Sequence, residues 1–340
     1  MTAGIIINPA AGPRRRPPAD VAVRRAQAAL RTCSVDGEVC VTEQRGNART
    51  LARSMIAGGA RTVVAWGGDG TINEVAAEVA AARATLGVVP GGSGNGFARG
   101  LGLERRAEAA LRTAISGSVR VIDTGSIDGR LFVNVAGIGF DAHMAAVFNR
   151  LSTRGAPAYF RAGIRELRSY RAATYTVRTP DETFTMPAFL VAIANCREYG
   201  NGALIAPRAR PDDGVLELVC IPARRLPWLL CQSFRLFAGT IDRLPGIRRV
   251  SATAIELAAD RPLAFHVDGE VHAGGRSLRV RVDGASLRVR VPRAAEAGKI
   301  AARSLRRRTQ RSGVLGRKVV EWGDGPKRRA GEAFRGASRR

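Results

Sequence analysis

The chain has 340 residues, 45% apolar and 24% charged, enough for two domains with real cores and unlike a disordered or fibrous chain. Its 54 basic against 29 acidic residues leave a net charge of +25, all but Lys299, Lys318 and Lys327 of the basic residues being arginine, so the surface attracts polyanions, lipid headgroups or nucleic acid. Cys33, Cys40, Cys196, Cys220 and Cys231 lack the close spacing of a metal cluster or disulfide framework; with no leader pattern and no run of eighteen apolar residues, the expectation is a cytoplasmic protein touching a membrane only peripherally, on its inner face.

In chain order, Ile5–Ile7 is a strand stopped by Asn8-Pro9-Ala10-Ala11-Gly12, a turn whose glycine suits a loop against a ligand. Arg14 to Pro18 is a polar, proline-rich loop. Helical period follows over Val21–Leu30, a short strand over Val39–Thr42 and another amphipathic helix over Asn47–Ile56. The β-branched run Thr62–Ala65 is a buried strand that leads into Gly67-Gly68-Asp69-Gly70-Thr71. Beyond it Ile72, Val75, Ala76 and Val79 recur at helical spacing, so a helix begins near Thr71. A strand that breaks through glycines into a helix start suits a phosphate: the backbone approaches closely, free N–H groups point outward and the helix dipole favours an anion. Asp69 in such a loop would face a metal or a hydroxyl. A bare Gly-Gly turn is often only a βα connection, but the Asp-Gly-Thr continuation argues against that here.

The next strand, Thr85–Val89, runs into a second glycine loop, Pro90-Gly91-Gly92-Ser93-Gly94-Asn95-Gly96. Strand and helix alternation means a parallel sheet with helices on both faces, where ligands sit beyond the carboxyl ends that carry Asn8, Thr42, Gly67 and Gly91. Two glycine loops at adjacent strand ends form a cradle for a nucleoside triphosphate. Neither is a P-loop, no lysine precedes Lys299, and the dinucleotide fingerprint is missing. Phosphates would therefore rest on backbone N–H groups, hydroxyls and an arginine or Mg²⁺.

From about Val119 short strands dominate: Val119–Asp123, Leu131–Val135, Thr174–Arg178, Phe184–Asn195, Val215–Ile221, Ala254–Leu257, Leu263–Val267 and two runs between Leu278 and Val291. That pattern predicts a mostly antiparallel β domain, a sandwich or open barrel, with helical insertions at Tyr159–Tyr170 and Pro227–Phe237. The second insertion carries Trp228, Leu229, Leu230, Phe234 and Leu236 beside Arg235 and Arg243, for core packing or as a lip around an acyl chain. From Arg293 the chain holds 15 basic residues against four acidic ones, so +11 of the charge lies in the last 48 positions. This is a solvated tail or an attachment to an anionic membrane; with only Trp322 and Phe334 to stack on bases, no specific nucleic acid is expected.

These motifs in this order resemble the bacterial lipid kinases of the diacylglycerol kinase catalytic-domain superfamily, which also contains sphingosine and ceramide kinases. The likeness runs from Ile5 to about Pro292 and adds Asn134-Val135-Ala136-Gly137-Ile138-Gly139-Phe140-Asp141, Ile205-Ala206-Pro207, Asp212-Asp213-Gly214 and Asp268-Gly269-Glu270. It implies an α/β nucleotide-binding domain over 1–122, a β-rich lipid-acceptor domain over 123–292 and a basic tail over 293–340. The implied reaction transfers the γ-phosphoryl group of ATP to a lipid hydroxyl at the membrane surface. Asn8, Pro9, Gly12, Thr42, Gly67, Gly68, Asp69, Gly70, Thr71, Asn73, Ser93 and Asn95 would surround ATP, Glu270 would be the general base, and Asp69 would serve the catalytic Mg²⁺. A structural Mg²⁺ would take Asp213 with the carbonyls of Arg210 and Val215. Read without the resemblance, Asp268-Gly269-Glu270 is also a hairpin turn and Asp212-Asp213-Gly214 a turn before a strand. The family pattern usually has Thr and Asn-Asp where this chain has Ser93 and Asn95-Gly96. The acceptor stays open among diacylglycerol, a sphingoid base, a phosphatidylglycerol-like lipid or another amphiphile, as does a homodimer. The rivals are a soluble-metabolite kinase of the NAD kinase type and a non-catalytic basic protein that binds membrane or nucleic acid.

Overall fold

Continuous apolar runs, rather than alternating ones, mark strands buried on both faces, and the first, third and fourth strands are of that kind, while the second, at the sheet edge, is half exposed. A computed structural model describes residues 2–12, 18–150, 166 and 170–293. β1 (Thr2–Ile7), β2 (Asp36–Val41), β3 (Thr62–Gly67) and β4 (Thr85–Pro90) lie in the order β4-β3-β1-β2, each pair parallel. α1 (Ala19–Thr32) packs Ala22, Ala26 and Leu30 on one face, against Ile5, Ile7, Val64 and Trp66. α2 (Asn47–Ala57) and α3 (Asp69–Ala81) pack Met55, Ile72, Val75 and Val79 on the other, against Ile6, Val63 and Leu86. Each such fully buried side chain contributes roughly 1.5–3 kcal/mol. Helix α3 starts at Asp69, two residues before the sequence expectation, because Gly68 is extended and its carbonyl already accepts the Ile72 N–H at 3.0 Å. The helix expected after the second glycine loop follows as α4 (Gly96–Gly100), and then α5 (Ala107–Ser116), which the sequence reading did not assign.

The β-rich part begins with β5 (Ser118–Ile127), β6 (Arg130–Phe132) and β7 (Val135–Gly139), then α6 (Phe140–Arg150). There follow β8 (Ala173–Arg178), β9 (Thr183–Ala194), a small hairpin of β10 (Glu198–Gly200) and β11 (Ala203–Leu204), and β12 (Leu216–Pro222). Two short helices, α7 (Leu226–Gln232) and α8 (Phe234–Ala238), replace the single insertion expected over Pro227–Phe237. The last strands are β13 (Arg248–Ala252), β14 (Ala254–Ala259), β15 (Ala264–Val267), β16 (Glu270–Ala273) and β17 (Ser277–Val291). Their order is β16-β15-β7-β9-β8-β14-β17, antiparallel throughout, around a core of Phe132, Tyr175, Ile193, Leu257 and Phe265.

The two runs expected between Leu278 and Val291 are one strand, whose register with β5 shifts between Asp283 and Leu287. Its first half pairs with β14 and its second half runs parallel to β4, Arg288 opposite Thr85 and Val289 opposite Leu86. A single 15-stranded sheet therefore runs through residues 2–293, and β5 spans the position where sequence texture changes. The expected loop at Arg14–Pro18 (Pro18 apart), the insertion at Tyr159–Tyr170 (Glu166 and Tyr170 apart) and the basic tail beyond Arg293 lie outside the described residues. No helix among the described residues is long and apolar enough to cross a membrane.

Candidate active site

Three loops meet at the carboxyl ends of β1, β3 and β4. The Asn8 N–H donates to the Trp66 carbonyl at 2.9 Å and its side-chain amide donates to Thr71 Oγ1 at 2.8 Å, while Asn8 Oδ1 accepts the Ala10 N–H at 2.9 Å. A Cβ on Gly67 would lie 2.6 Å from the Thr71 side chain, so only glycine lets Thr71 fold back toward Asn8. The second glycine loop packs on the first: Gly91 N–H donates to Gly67 O at 2.6 Å, and a Cβ on Gly92 would sit 2.8 Å from the Gly68 Cα. Asn95, left-handed at φ +52, closes that loop on itself, accepting the Gly92 N–H at 2.7 Å and donating to the Gly92 carbonyl at 2.8 Å. Pro9, Gly70 and Ser93 are exposed at this cradle, whereas Thr42 is buried and donates its N–H to Ile7 O at 2.9 Å.

Asp69 and Asp268 form the charged centre. Asp69 Oδ1 accepts the Phe97 N–H at 3.3 Å, and its other oxygen faces Gly94. Burial and then the neighbouring Asp268 charge push the Asp69 carboxyl up to about 6, against the backbone donors at residues 95–97. Asp268 is buried and takes four donors: Asn134 N–H at 2.9 Å and Val135 N–H at 3.1 Å on Oδ1, Val133 N–H at 2.9 Å and Asn73 Nδ2 at 2.7 Å on Oδ2. Burial raises its carboxyl too, with those donors opposing. Asn73 also donates to Leu131 O at 2.8 Å, so its amide is spent on joining α3 to the β-rich part.

Asp268 and Gly269 are the two central residues of the β15–β16 hairpin, Val267 opposite Glu270, with φ of +49 and +90. This is the Asp-Gly turn with both φ positive that tight hairpins favour, and it leaves Glu270 exposed at the start of β16. The hairpin is braced from behind. The Gly269 N–H donates to His266 Nδ1 at 3.3 Å, so the imidazole carries its proton on Nε2, 2.8 Å from Asp141 Oδ2, which also accepts the Tyr199 hydroxyl at 2.6 Å. Burial pushes His266 down, but the charge and hydrogen bond of Asp141 outweigh it and the net shift is upward. Gly137 makes room for the pair: a Cβ there would lie 1.9 Å from Asp141 Oδ2 and 2.4 Å from His266 Nε2.

Beside α6, a cleft of about 360 Å³ is lined by Gly139, Ala142, His143, Tyr170, Tyr175 and Leu263, with the exposed Arg171 and Arg261 also in its wall. Phe140, Tyr170 and Phe189 pack edge and face beside it, Phe140 and Phe189 with centroids 4.5 Å apart. From Ala264 in this wall, β15 leads over roughly 13 Å to the Asp268 turn. The loop of Arg210, Asp213 and Val215 is elsewhere. It wraps the buried Asp123, which accepts the Gly214 N–H at 2.8 Å and the Ala285 N–H at 2.7 Å, while Asp212 pairs with Arg120 at 2.6 Å. Asp213 is exposed and accepts the Val215 N–H at 3.4 Å. Among the described residues no group of three or more His, Cys, Asp or Glu could hold a metal.

Comparison with known proteins gives this geometry a family. Residues 2–127 match the diacylglycerol kinase catalytic domain, and residues 134–291 match the YegS C-terminal NAD kinase beta sandwich-like domain. A protein named "Probable lipid kinase YegS-like" from Pseudomonas aeruginosa is 33% identical over 272 residues, covering 76% of this chain and 86% of its own. The chain belongs to the YegS-like lipid kinase family. Its namesake from Chromohalobacter salexigens is 32% identical, covering 73% of this chain and 82% of the relative. A diacylglycerol kinase structure from Bacillus anthracis superposes with TM-score 0.66 over 86% of this chain and 97% of that one at 18% identity, a likeness of fold. An NAD kinase from Archaeoglobus fulgidus does so at TM-score 0.50 and 14% identity, over 85% of this chain and 93% of that one.

As a member of this family the protein is a kinase, with ATP the substrate the family implies. Within this YegS-like chain, sequence reasoning singled out Glu270 and Asp69 but missed what braces the turn before Glu270: Asp268, His266, Asp141 and Tyr199. The motifs Asn134–Asp141 and Asp268–Glu270 were the available signal, but which residues in them face each other depends on strand register. Gly96 has a structural reason: a Cβ there would meet the Tyr199 carbonyl at 2.4 Å and Asn134 Nδ2 at 2.5 Å, so the β10–β11 hairpin occupies the space a side chain would need.

Proposed function

We propose that this kinase transfers the γ-phosphoryl group of ATP to the hydroxyl of a membrane lipid, a diacylglycerol- or sphingoid-like acceptor, working at the bilayer surface. The observation that carries the reading is the Asn73–Asp268 bond at 2.7 Å, which locks the helix after the first glycine loop to the turn bearing Glu270. The cradle and the carboxylate thus share one rigid frame, as positioning-dominated phosphoryl transfer demands.

In this reading the triphosphate lies across the loops at Asn8–Gly12, Gly67–Thr71 and Gly91–Asn95. Glu270 accepts the proton as the acceptor O–H bond breaks; the oxygen bonds to the γ-phosphorus, the bond to the β-phosphate oxygen breaks, and ADP leaves. The apolar and aromatic cleft beside α6 takes the acyl part. A carboxylate raised by burial and then by the neighbouring Asp268 charge fits a hard cation, so Asp69 would hold the catalytic Mg²⁺, which would supply neutralisation of phosphate charge. Asp213, with the Arg210 and Val215 carbonyls, is the candidate for a second, structural Mg²⁺. The basic segment after Arg293 would add attraction to anionic lipid, about 1 kcal/mol per basic residue near the surface.

The test is ATP consumption with Mg²⁺ against a panel of lipids in mixed micelles, with soluble alcohols and NAD as controls. Turnover on one lipid class, lost by a factor on the order of 10²–10⁴ in Glu270→Gln with ATP binding kept, is the expected result. Turnover on soluble acceptors alone, or full activity in Glu270→Gln, would overturn it.

A further inference from the structure

Helices α7 and α8 have two apolar faces, and a surface helix needs one. Trp228, Leu229 and Leu236 turn inward onto Ile205, Ala206 and Val219. Leu230 of α7 and Phe234 and Phe237 of α8 are instead 42%, 57% and 62% exposed. They are three of the five large apolar side chains exposed among the described residues, gathered within eight positions. The charge around them has one sign: Arg224, Arg225, Arg235 and Arg243 flank the helices, Arg235 over the Phe234 ring at 5.4 Å. The single acidic residue between positions 223 and 247, Asp242, is paired with Arg208 at 3.3 Å. Exposed aromatic residues beside arginines that have no acidic partner among the described residues match an interface of anionic headgroups over acyl chains.

We propose that the outer face of α7 and α8 is the membrane-docking surface: Leu230, Phe234 and Phe237 enter the headgroup–acyl boundary, and Arg224, Arg225 and Arg243 bind anionic lipid. This rests on the lipid-acceptor reading above. The surface also connects to the site. α8 packs on the β10–β11 hairpin, where a Cβ on Gly239 would lie 3.1 Å from Leu204, and that hairpin touches the second glycine loop through the Asn95–Gly200 bridge. The cluster under α7 includes Phe189, the ring that stacks on Phe140 beside the cleft. A bilayer under these helices therefore lies next to the elements that shape both nucleotide and acceptor sites.

The experiment is sedimentation of the full chain with phosphatidylglycerol–phosphatidylcholine vesicles and with phosphatidylcholine alone. It is run at low salt and at roughly 0.5 M, where the Debye length is about 4 Å and charge attraction is screened. Wild type should keep a salt-resistant part of its binding. Phe234→Ser with Phe237→Ser should weaken that part at least tenfold, and Arg224→Glu with Arg225→Glu should weaken binding at low salt. Both should leave the melting temperature and turnover of a short-chain, monomeric lipid unchanged. Salt-resistant binding equal to wild type in the Phe variant would overturn the proposal. So would a wild-type dimer in solution that this variant converts to monomers, since the face would then be a protein contact. Vesicle binding is read without turnover, so an inactive wild type would remove the acceptor reading alone.

Discussion

Asp268→Asn changes one atom and tests the frame of the site. Asp268 Oδ1 accepts the Asn134 and Val135 N–H groups, and Oδ2 accepts Val133 N–H and Asn73 Nδ2. An amide keeps one oxygen, so its NH₂ must face two donors. Hydrogen bonds to a charged group are worth about 1.5–3 kcal/mol each, so losing two costs about 3–6 kcal/mol. Removal of a buried charge beside Asp69 offsets part of that, leaving a net loss of about 3 kcal/mol. For a body of this size that lowers the melting temperature by roughly 5 °C, read by calorimetry. Because the same bonds hold the turn that presents Glu270, kcat should fall while ATP binding stays. Pairing it with Asn73→Ala in a double-mutant cycle should give a coupling of about 1–3 kcal/mol. A melting temperature within a degree of wild type, or a coupling near zero, would refute the reasoning.

Burial and the Asp268 charge push Asp69 up to about 6, and the Mg²⁺ proposed there would need the ionised form, so metal affinity should rise up to tenfold per pH unit toward about 6 and level off above it. Calorimetric Mg²⁺ titrations giving the same affinity at about pH 5 and pH 8 would contradict this. A raised carboxylate also costs stability when ionised, so without metal Asp69→Asn should melt higher than wild type above pH 6 and equally below the ordinary value of 3.8, with turnover lost. Gly96→Ala forces a Cβ against the Tyr199 carbonyl, 2.4 Å away, and should cost about 1–3 kcal/mol in urea unfolding; an unchanged midpoint would remove the steric argument. His266→Phe leaves the Gly269 N–H and Asp141 without their imidazole, and should lower kcat for the lipid acceptor with the ATP KM unchanged; a change in the ATP KM alone would show that the imidazole serves the nucleotide side.

Local pattern carried the nucleotide side of the fold. β1, β3 and β4 are apolar runs that lead into Asn8, Gly68 and Gly91, and the loops that follow them are the candidate cradle. What the pattern could not show is partnership across the chain. Asn73 and Asp268 are 195 positions apart, and only the register of β15 with β7 brings the Asp268 turn over Val133–Val135. Strands β10, β11 and β16 span two to four residues, too short for alternation to register. Nor could the pattern show what Asn95 and Asn73 bond to within the protein, the first closing its own loop and the second bracing two elements. The sequence left the segment of Phe234 and Phe237 open between core packing and a lip around an acyl chain, and only the structure shows these two rings facing out.

Strand β17 has a consequence for how the protein is made. β4 is flanked by β3 on one side and by Arg288–Val289 of β17 on the other, nearly the last residues of the sheet to be synthesised. While the ribosome works through the intervening two hundred residues, the nucleotide half carries an open, apolar edge with no partner in its own stretch of chain. Vectorial folding from the N-terminus must stall at that edge, which makes nascent chains the stage most in need of a chaperone. A frameshift or nonsense lesion shortly before Arg288 would thus leave β4 and the glycine loop after it without the strand that flanks them, although their own sequence is intact.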